Sequence, residues 1–119
     1  MLYIAETPDK GRGVFTDKAI ELNEIIEFCP VIILTEQDVP HVRLTSLNYY
    51  YFEWGADKTE GAIALGYGSL YNHAFKPNAA WRNQRAQKMI EFYATQFIQA
   101  GEEITIDYDT DYVTALGFV

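Results

Sequence analysis

The sequence has a single cysteine, only two histidines and no long apolar segment. Because Cys29 is the only thiol, an intrachain disulfide and a zinc site built from several cysteines are both excluded. The two histidines do not have H-x-x-x-H spacing, so no metal site is predicted. Cys29 lies in the apolar run FCPVIIL, where a small buried hydrophobic residue is a more typical role than a reactive thiol.

Basic residues are also scarce, since 9 Lys and Arg side chains stand against 17 Asp and Glu and give a formal net charge of −8. This charge repels the phosphates of nucleic acids, and no cluster of Lys and Arg in the sequence offsets it. Direct binding of nucleic acid is therefore not expected. A protein partner with a basic, lysine-containing segment would instead be attracted.

No apolar segment approaches the about 18 residues that a transmembrane helix needs. The N-terminus MLYIAETPDKGRG also lacks the basic and apolar regions of a signal peptide. We therefore expect no membrane association and a reducing, intracellular setting in the cytoplasm or the nucleus.

The length of 119 residues predicts one domain spanning 1–119, and a hydrophobic fraction of 49% is ample for its core. Short apolar or alternating runs, separated by Gly and Pro, predict many short strands and little helix. The predicted strands are Leu2–Glu6, Gly13–Thr16, Glu24–Thr35 with an interruption at Pro30, Leu47–Trp54, Ala62–Leu65, Lys88–Ile98 and Glu103–Tyr108. A capped helical turn is predicted at 35–38, just before Pro40.

Three segments contain more polar, special-purpose residues than folding alone requires. The motif GRG at 11–13 is typical of a tight turn, or of a loop whose backbone approaches a ligand closely. In the pair Asn72-His73, the histidine is either a hydrogen-bonded structural residue or a catalytic base. The stretch GEEITIDYDTDY, which starts at Gly101, taken alone indicates a solvated acidic strand end.

The order of these segments, GRGVF, then LGYGSLYNHAFKPNA, then GEEITIDY, resembles the SET-domain family of protein-lysine methyltransferases. The first is similar to the family's glycine-containing cofactor loop, the second to its Asn-His-x-x-x-Pro-Asn segment and the third to its Glu-x-x-x-Asp-Tyr strand. The resemblance implies a β-clip-like fold of several small, mostly antiparallel sheets with a C-terminal pseudoknot. In that arrangement the last segment passes beneath a preceding loop, which is unusual among proteins.

The resemblance also implies an enzyme that transfers a methyl group from S-adenosylmethionine to the lysine ε-amine of a protein such as a histone. The implied cofactor-binding residues are Gly11, Arg12, Gly13, Asn72, His73 and Tyr108. Tyr108 also matches the family's catalytic tyrosine. The implied residues of the substrate-lysine channel are Tyr67, Ile106 and Tyr112.

The sequence departs from the family pattern in two places. Ala74 stands where the family usually has a serine after Asn-His, and the Cys-rich zinc tail that closes the lysine channel in many members is absent. Tyr112 and Phe118 are the candidates to replace that tail, and a homodimer in which one subunit completes the other's channel is an alternative. A catalytically weak SET-like module that binds S-adenosylmethionine or a basic peptide is the second interpretation of the function.

We expect the association with a basic peptide to weaken from low to moderate salt, because the net charge of −8 attracts Lys- and Arg-rich segments over a distance that salt shortens. Titrations of one peptide at several ionic strengths test this. An affinity that does not change with salt would mean that the acidic surface contributes to solubility alone.

Overall fold

Short strands form most of the regular backbone, as the alternating sequence pattern predicts. The computed structural model describes residues 1–108, in which the strands are β1 (Leu2–Glu6), β2 (Arg12–Thr16), β3 (Ile25–Leu34), β4 (Tyr51–Trp54), β5 (Glu60–Ala64), β6 (Asn72–His73), β7 (Ala79–Gln84), β8 (Met89–Ala94) and β9 (Glu103–Ile106). The helical elements are α1 (Val39–Val42) and the 3-10 turns Ser46–Tyr49, Gly68–Leu70 and Arg85–Gln87. None of these described helices is long and apolar enough to cross a membrane.

The strands form two small sheets, with the orders β1-β2-β9-β6 and β4-β5-β3-β8-β7. The β1–β2, β2–β9, β3–β5 and β4–β5 pairs are antiparallel, whereas β6 lies parallel to β9. The prediction of a mainly β fold of several small antiparallel sheets with little helix is confirmed.

The described chain forms two compact units. The first comprises Met1–Ile26, Tyr71–Ala80 and 93–108 and contains the β1-β2-β9-β6 sheet. Its buried apolar side chains are Val14, Ile20, Tyr71, Ala79, Ala94, Ile98, Ile104 and Ile106. The second comprises Glu27–Leu70 and Trp81–Phe92, with Cys29, Val39, Trp54, Ala62, Ala64, Ile90 and Phe92 buried. The single domain over 1–119 stays a prediction.

Pro30 does not divide β3, although the sequence predicted two strands or one interrupted strand there. In the register of β3 with β5, Val31 faces Ala64, so Pro30 faces Leu65, the first residue beyond β5. The Pro30 carbonyl accepts a hydrogen bond from the Leu65 N–H at 2.9 Å. The N–H that proline lacks would point to the same neighbour and pair with the Leu65 carbonyl, so the missing donor removes one bond just beyond the end of β5 and leaves the pairing of Val31–Leu34 intact.

The prediction of one strand over the aromatic run Leu47–Trp54 is wrong for the first half of that run. Ser46–Tyr49 forms a 3-10 turn, and only Tyr51–Trp54 is a strand. The Thr45 side chain accepts the Leu47 N–H at 3.2 Å and caps the turn. A local cap of this kind outweighs the strand propensity of aromatic residues, which depends on packing partners.

The capped turn predicted at 35–38 is present, just before Pro40. Thr35 and Asp38 exchange hydrogen bonds, because each side chain accepts the backbone N–H of the other at 3.1 and 3.2 Å. The helix α1 follows and includes Pro40 in its first turn. Proline is tolerated there, since the first N–H groups of a helix have no intrahelical partner.

The Asn78 side chain hydrogen-bonds the backbone of β9 in the way that a neighbouring strand would. Its Nδ2 donates to the Glu103 carbonyl at 2.8 Å, and its Oδ1 accepts the Thr105 N–H at 2.9 Å. The side chain is only 4% exposed, so water does not replace these bonds readily. Because β6 has only two residues, the Asn78 carboxamide supplies pairing to β9 where β6 does not reach.

We expect Asn78→Ala to lower the free energy of unfolding by on the order of 2 to 3 kcal/mol, because it leaves a buried backbone donor and acceptor without their partner. Denaturant unfolding measures this. Asn83→Ala is the matched control, since the exposed Asn83 carboxamide makes a single 3.2 Å bond to the Glu53 carbonyl. Equal losses in the two variants would contradict the role given to Asn78.

Candidate active site

The position of β9 in its sheet brings together the three segments that the sequence singled out. β9 lies between β2, which begins in the GRG motif, and β6, which is the Asn-His pair. In register, Val14 faces Ile104 on one side, and Asn72 faces Thr105 on the other. The segments therefore meet in the first unit although they are far apart in sequence.

Asn72 connects the GRG loop to β9. Its Nδ2 donates to the Arg12 carbonyl and to Oε2 of Glu103, both at 2.9 Å. Glu103 is half-buried and Thr105 is buried, so the middle of this strand is not solvated, whereas Glu102 and Asp107 on either side of it are exposed, as the interpretation of an acidic strand end predicts. The strand alternates in sequence, yet the side chains on both of its faces are largely covered.

The two glycines of the GRG motif are needed for different reasons, one for its backbone conformation and the other for the space that a side chain would fill. Gly11 has φ of +72°, a left-handed conformation that glycine adopts without strain, and a Cβ there would meet no atom within 4 Å. A Cβ on Gly13 would instead lie 2.5 Å from Glu103 Oε2 and 3.0 Å from Asn72 Nδ2. Gly11 thus permits the turn and leaves open space beside it, whereas Gly13 permits Asn72 and Glu103 to lie against the loop.

Lys10 belongs to the same cluster, and sequence reasoning missed it. Its Nζ donates to the His73 carbonyl at 2.7 Å, which connects the residue just before GRG to the Asn-His strand. Its position directly before the motif was the available signal. The bond adds a positive charge at the point where the loop and β6 meet.

His73 and Tyr108 contact each other through backbone and ring. The Tyr108 N–H donates to His73 Nδ1 at 3.0 Å, and the two ring centroids are 5.2 Å apart. The Tyr108 hydroxyl donates to the Tyr71 carbonyl at 2.7 Å. The Phe75 ring meets the imidazole edge-to-face at 4.6 Å, and His73 is only 8% exposed.

Burial lowers the pKa of His73 below its usual value, because the charged imidazolium loses hydration. The ammonium of Lys10 lowers this pKa further, whereas the Asp107 carboxylate, 3.7 Å from Nδ1, acts in the opposite direction. Desolvation is the largest of the three effects, so the ring is neutral near pH 7.

The residues predicted for the lysine channel are less well determined than those of the cofactor loop. Ile106 is fully buried and pairs with His73 in the sheet. Tyr67 is half-buried in the second unit, where its carbonyl accepts the Leu70 N–H at 2.9 Å. Tyr112 and Phe118 lie outside the described residues. The channel stays a prediction.

Comparisons with known proteins agree on one family. The SET domain model matches residues 11–109. A curated Schizosaccharomyces pombe protein, histone-lysine N-methyltransferase, H3 lysine-37 specific, is 35% identical over 108 residues, which are 90% of this chain and 72% of that protein. A Candida albicans histone-lysine N-methyltransferase, H3 lysine-36 specific, is 29% identical over 121 residues, covering 91% of this chain but 14% of that protein.

Two solved structures share the fold. A crystal structure of a Plasmodium falciparum protein assigned to the histone methyltransferases has a TM-score of 0.74 and 33% identity, and the match covers 92% of this chain and 97% of that one. The Neurospora SET domain protein DIM-5, a histone lysine methyltransferase, has a TM-score of 0.69 and 22% identity over 90% of this chain and 51% of its own. This chain belongs to the SET domain family, as the order of its three segments predicted.

We expect the wild type to lose stability as the pH falls below about 6.5, the usual pKa of histidine, because the unfolded chain then binds a proton that folded His73 resists. Above that pH the contribution is fully present. Urea unfolding between about pH 7.5 and pH 5.5 measures the change.

His73→Phe should show a smaller loss over the same interval, since it keeps a ring but removes the titrating group. His41 is exposed, so the His41→Asn variant should lose as much stability over this pH interval as the wild type does. A His73→Phe curve parallel to that of the wild type would contradict the assignment.

Proposed function

We propose that this chain transfers a methyl group from S-adenosylmethionine to the ε-amine of a lysine in a basic protein, with histones as the substrate class. For the enzyme class, protein-lysine N-methyltransferase, the sequence prediction is confirmed by the family match and the curated relatives. The residue roles and the substrate are the proposal.

The residues around the GRG loop suit the charges of S-adenosylmethionine, which supplies an electrophilic methyl group on a sulfonium sulfur. Its α-carboxylate requires cationic or N–H donors, and the side chains of Lys10 and Arg12 are the candidates. Its ammonium and adenine amino groups require acceptors, for which we propose the Asn72 carboxamide oxygen and the His73 carbonyl. The open space beside Gly11 supports this choice.

The observation that best supports the proposal is the hydrogen bond of the Tyr108 hydroxyl to the Tyr71 carbonyl at 2.7 Å. A hydroxyl whose hydrogen is committed to a carbonyl presents its oxygen as an acceptor. A neutral lysine amine has two N–H donors and one lone pair, so an N–H donated to Tyr108 would leave the lone pair to attack the methyl carbon. We therefore assign Tyr108 the orientation of the amine.

The amine must be neutral to react, and removing its proton at pH 7 costs roughly 4.6 kcal/mol, given a pKa of about 10.4 and about 1.36 kcal/mol per unit. The positive charges of Lys10 and Arg12 and the half-buried ring of Tyr108 would lower this cost, since both a like charge and a partly dehydrated site disfavour the ammonium form. The exposed Asp107 would act earlier, by attracting the basic substrate.

A histone substrate is supported by the net charge of −8 and by the histone H3 specificities of the two curated relatives. With a histone as substrate, the activity would lie inside the cell, in the nucleus or the cytoplasm. The enzyme would then contact the histone protein and not nucleic acid. A homodimer that completes the lysine channel remains part of this proposal.

We expect the purified chain to bind S-adenosylmethionine at one site and to label histone H3, and Tyr108→Phe to lower the methylation rate at least about tenfold, roughly 1.4 kcal/mol of barrier. Cofactor affinity should be nearly unchanged, because the variant removes only the group that orients the amine. The free energy of unfolding should fall by about 1 kcal/mol, since the bond to the Tyr71 carbonyl is lost.

Calorimetry, transfer of labelled methyl groups and denaturant unfolding provide these three measurements. Tyr3→Phe is the matched control, because the exposed Tyr3 lies on β1 and should keep the wild-type rate. A Tyr108→Phe variant as active as the wild type would contradict the role of Tyr108. Binding without transfer in the wild type would favour the catalytically weak module.

A further inference from the structure

The hydrogen bond between His73 and Tyr108 determines the protonation state of the imidazole. An imidazole nitrogen accepts a hydrogen bond only when it carries no proton, and Nδ1 accepts the Tyr108 N–H at 3.0 Å. The neutral ring therefore carries its proton on Nε2. Nε2 is buried and has no hydrogen-bond partner among residues 1–108.

Tyr108 lies two residues beyond the end of β9 at Ile106, so the sheet ladder does not hold its backbone. Two contacts from one segment hold it instead. The imidazole of His73 binds its N–H, and the carbonyl of Tyr71 binds its hydroxyl. Tyr108 is thus attached at its backbone and at the far end of its side chain to residues that are only two positions apart.

The His73 ring is itself well fixed. In the β6–β9 pair, the His73 backbone lies opposite Ile106. The N–H of the next residue, Ala74, donates a hydrogen bond to the Ile106 carbonyl at 2.9 Å. The edge-to-face contact with Phe75 restricts the ring from another side. An acceptor held this rigidly can define the position of the Tyr108 backbone.

We propose that His73 is a positioning residue for Tyr108, whose backbone amide its neutral imidazole holds so that the phenolic hydroxyl stays on the Tyr71 carbonyl. This rests on the role of Tyr108 in the proposed function. Protonation of Nδ1 replaces the acceptor by an N–H that faces the N–H of Tyr108, so the hydrogen bond is lost and the tyrosine is released. Turnover therefore depends on neutral His73, independently of the deprotonation of the substrate amine.

Two charged groups near His73 influence the pH range over which its imidazole stays neutral and accepts the Tyr108 N–H. The Asp107 carboxylate, 3.7 Å from Nδ1, stabilises the protonated ring, whereas the Lys10 ammonium on the His73 carbonyl opposes it. Burial and Lys10 together outweigh Asp107, so the pKa of His73 is lowered and the acceptor form persists near neutral pH.

The direct test is the imidazole tautomer of the wild-type chain, read from nitrogen chemical shifts after labelling of histidine with ¹⁵N. The sequence contains only His41 and His73, so the two rings are assigned by one His41→Asn variant. We expect the Nε2–H tautomer for His73 at about pH 7.5, with protonation below the usual value of about 6.5. An Nδ1–H tautomer overturns the inference, whatever the variants do.

Turnover on histone H3 supplies the second test. His73→Phe keeps a ring but removes the acceptor, and we expect its kcat to fall about tenfold with little change in KM for the histone. His73→Asn offers a carboxamide oxygen near the position of Nδ1, and it should recover a large part of the lost kcat. Equal kcat values for the Phe and Asn variants overturn the inference.

The acid side of the pH profile separates positioning from a purely structural role. All forms lose rate as the amine is protonated, but the ratio of wild-type to His73→Asn kcat should fall further below about pH 6.5, because only the wild type loses its acceptor. A constant ratio overturns the inference. If Tyr108→Phe is fully active while the tautomer is Nε2–H, the role of Tyr108 in the proposed function fails, and with it the effect on turnover, although the contact stands.

Discussion

The arrangement of the first unit depends on the backbone of β9 being hydrogen-bonded from both sides. β2 pairs with one edge, and β6 together with the Asn78 carboxamide covers the other. Each neighbour carries one of the segments whose residues form the candidate site. If β9 were an edge strand without β6 beside it, Asn72 would not pair with Thr105, and Tyr108, which follows β9, would not reach His73. The site is therefore a consequence of strand order as much as of its side chains.

Polar side chains make many of the decisive contacts in this unit. Asn72 joins the loop to Glu103, Asn78 joins β9 to the segment after β6, and His73 joins β6 to Tyr108. A buried polar group without a partner is costly, so such contacts tolerate few alternative registers. This explains why a motif as polar as Asn-His-x-x-x-Pro-Asn lies among bulky apolar residues: its members take the place of main-chain pairing that two-residue β6 is too short to provide.

The sequence alone predicted the strands with clear alternation or long apolar runs, such as β1, β8 and β9, and the family's motif order predicted which segments meet. It failed where a local contact or a short element decided the structure. Thr45 turned part of the aromatic run into a 3-10 turn, β6 was too short to have a pattern, and β7, with Arg, Asn and Gln at its end, lacked strand-like alternation. The hydrogen bond from Lys10 to His73 spans 63 positions of the chain, and the one from Tyr108 to the His73 imidazole spans 35. Local sequence patterns do not predict contacts between residues so far apart in the chain.

The pairing of β2 with β9 also has a consequence for biosynthesis. Val14 and Ile104 are in register across about 90 positions of the chain, so the loop that closes when they meet is nearly as long as the described protein. Contacts of this range form late, because the entropy of closing the loop must be overcome before the pairing stabilises it. Since a ribosome releases the N-terminal segments first, GRG and Asn-His have to wait for β9 to emerge. Until β9 emerges, the edge of β2 that faces it in the folded protein therefore has no partner strand.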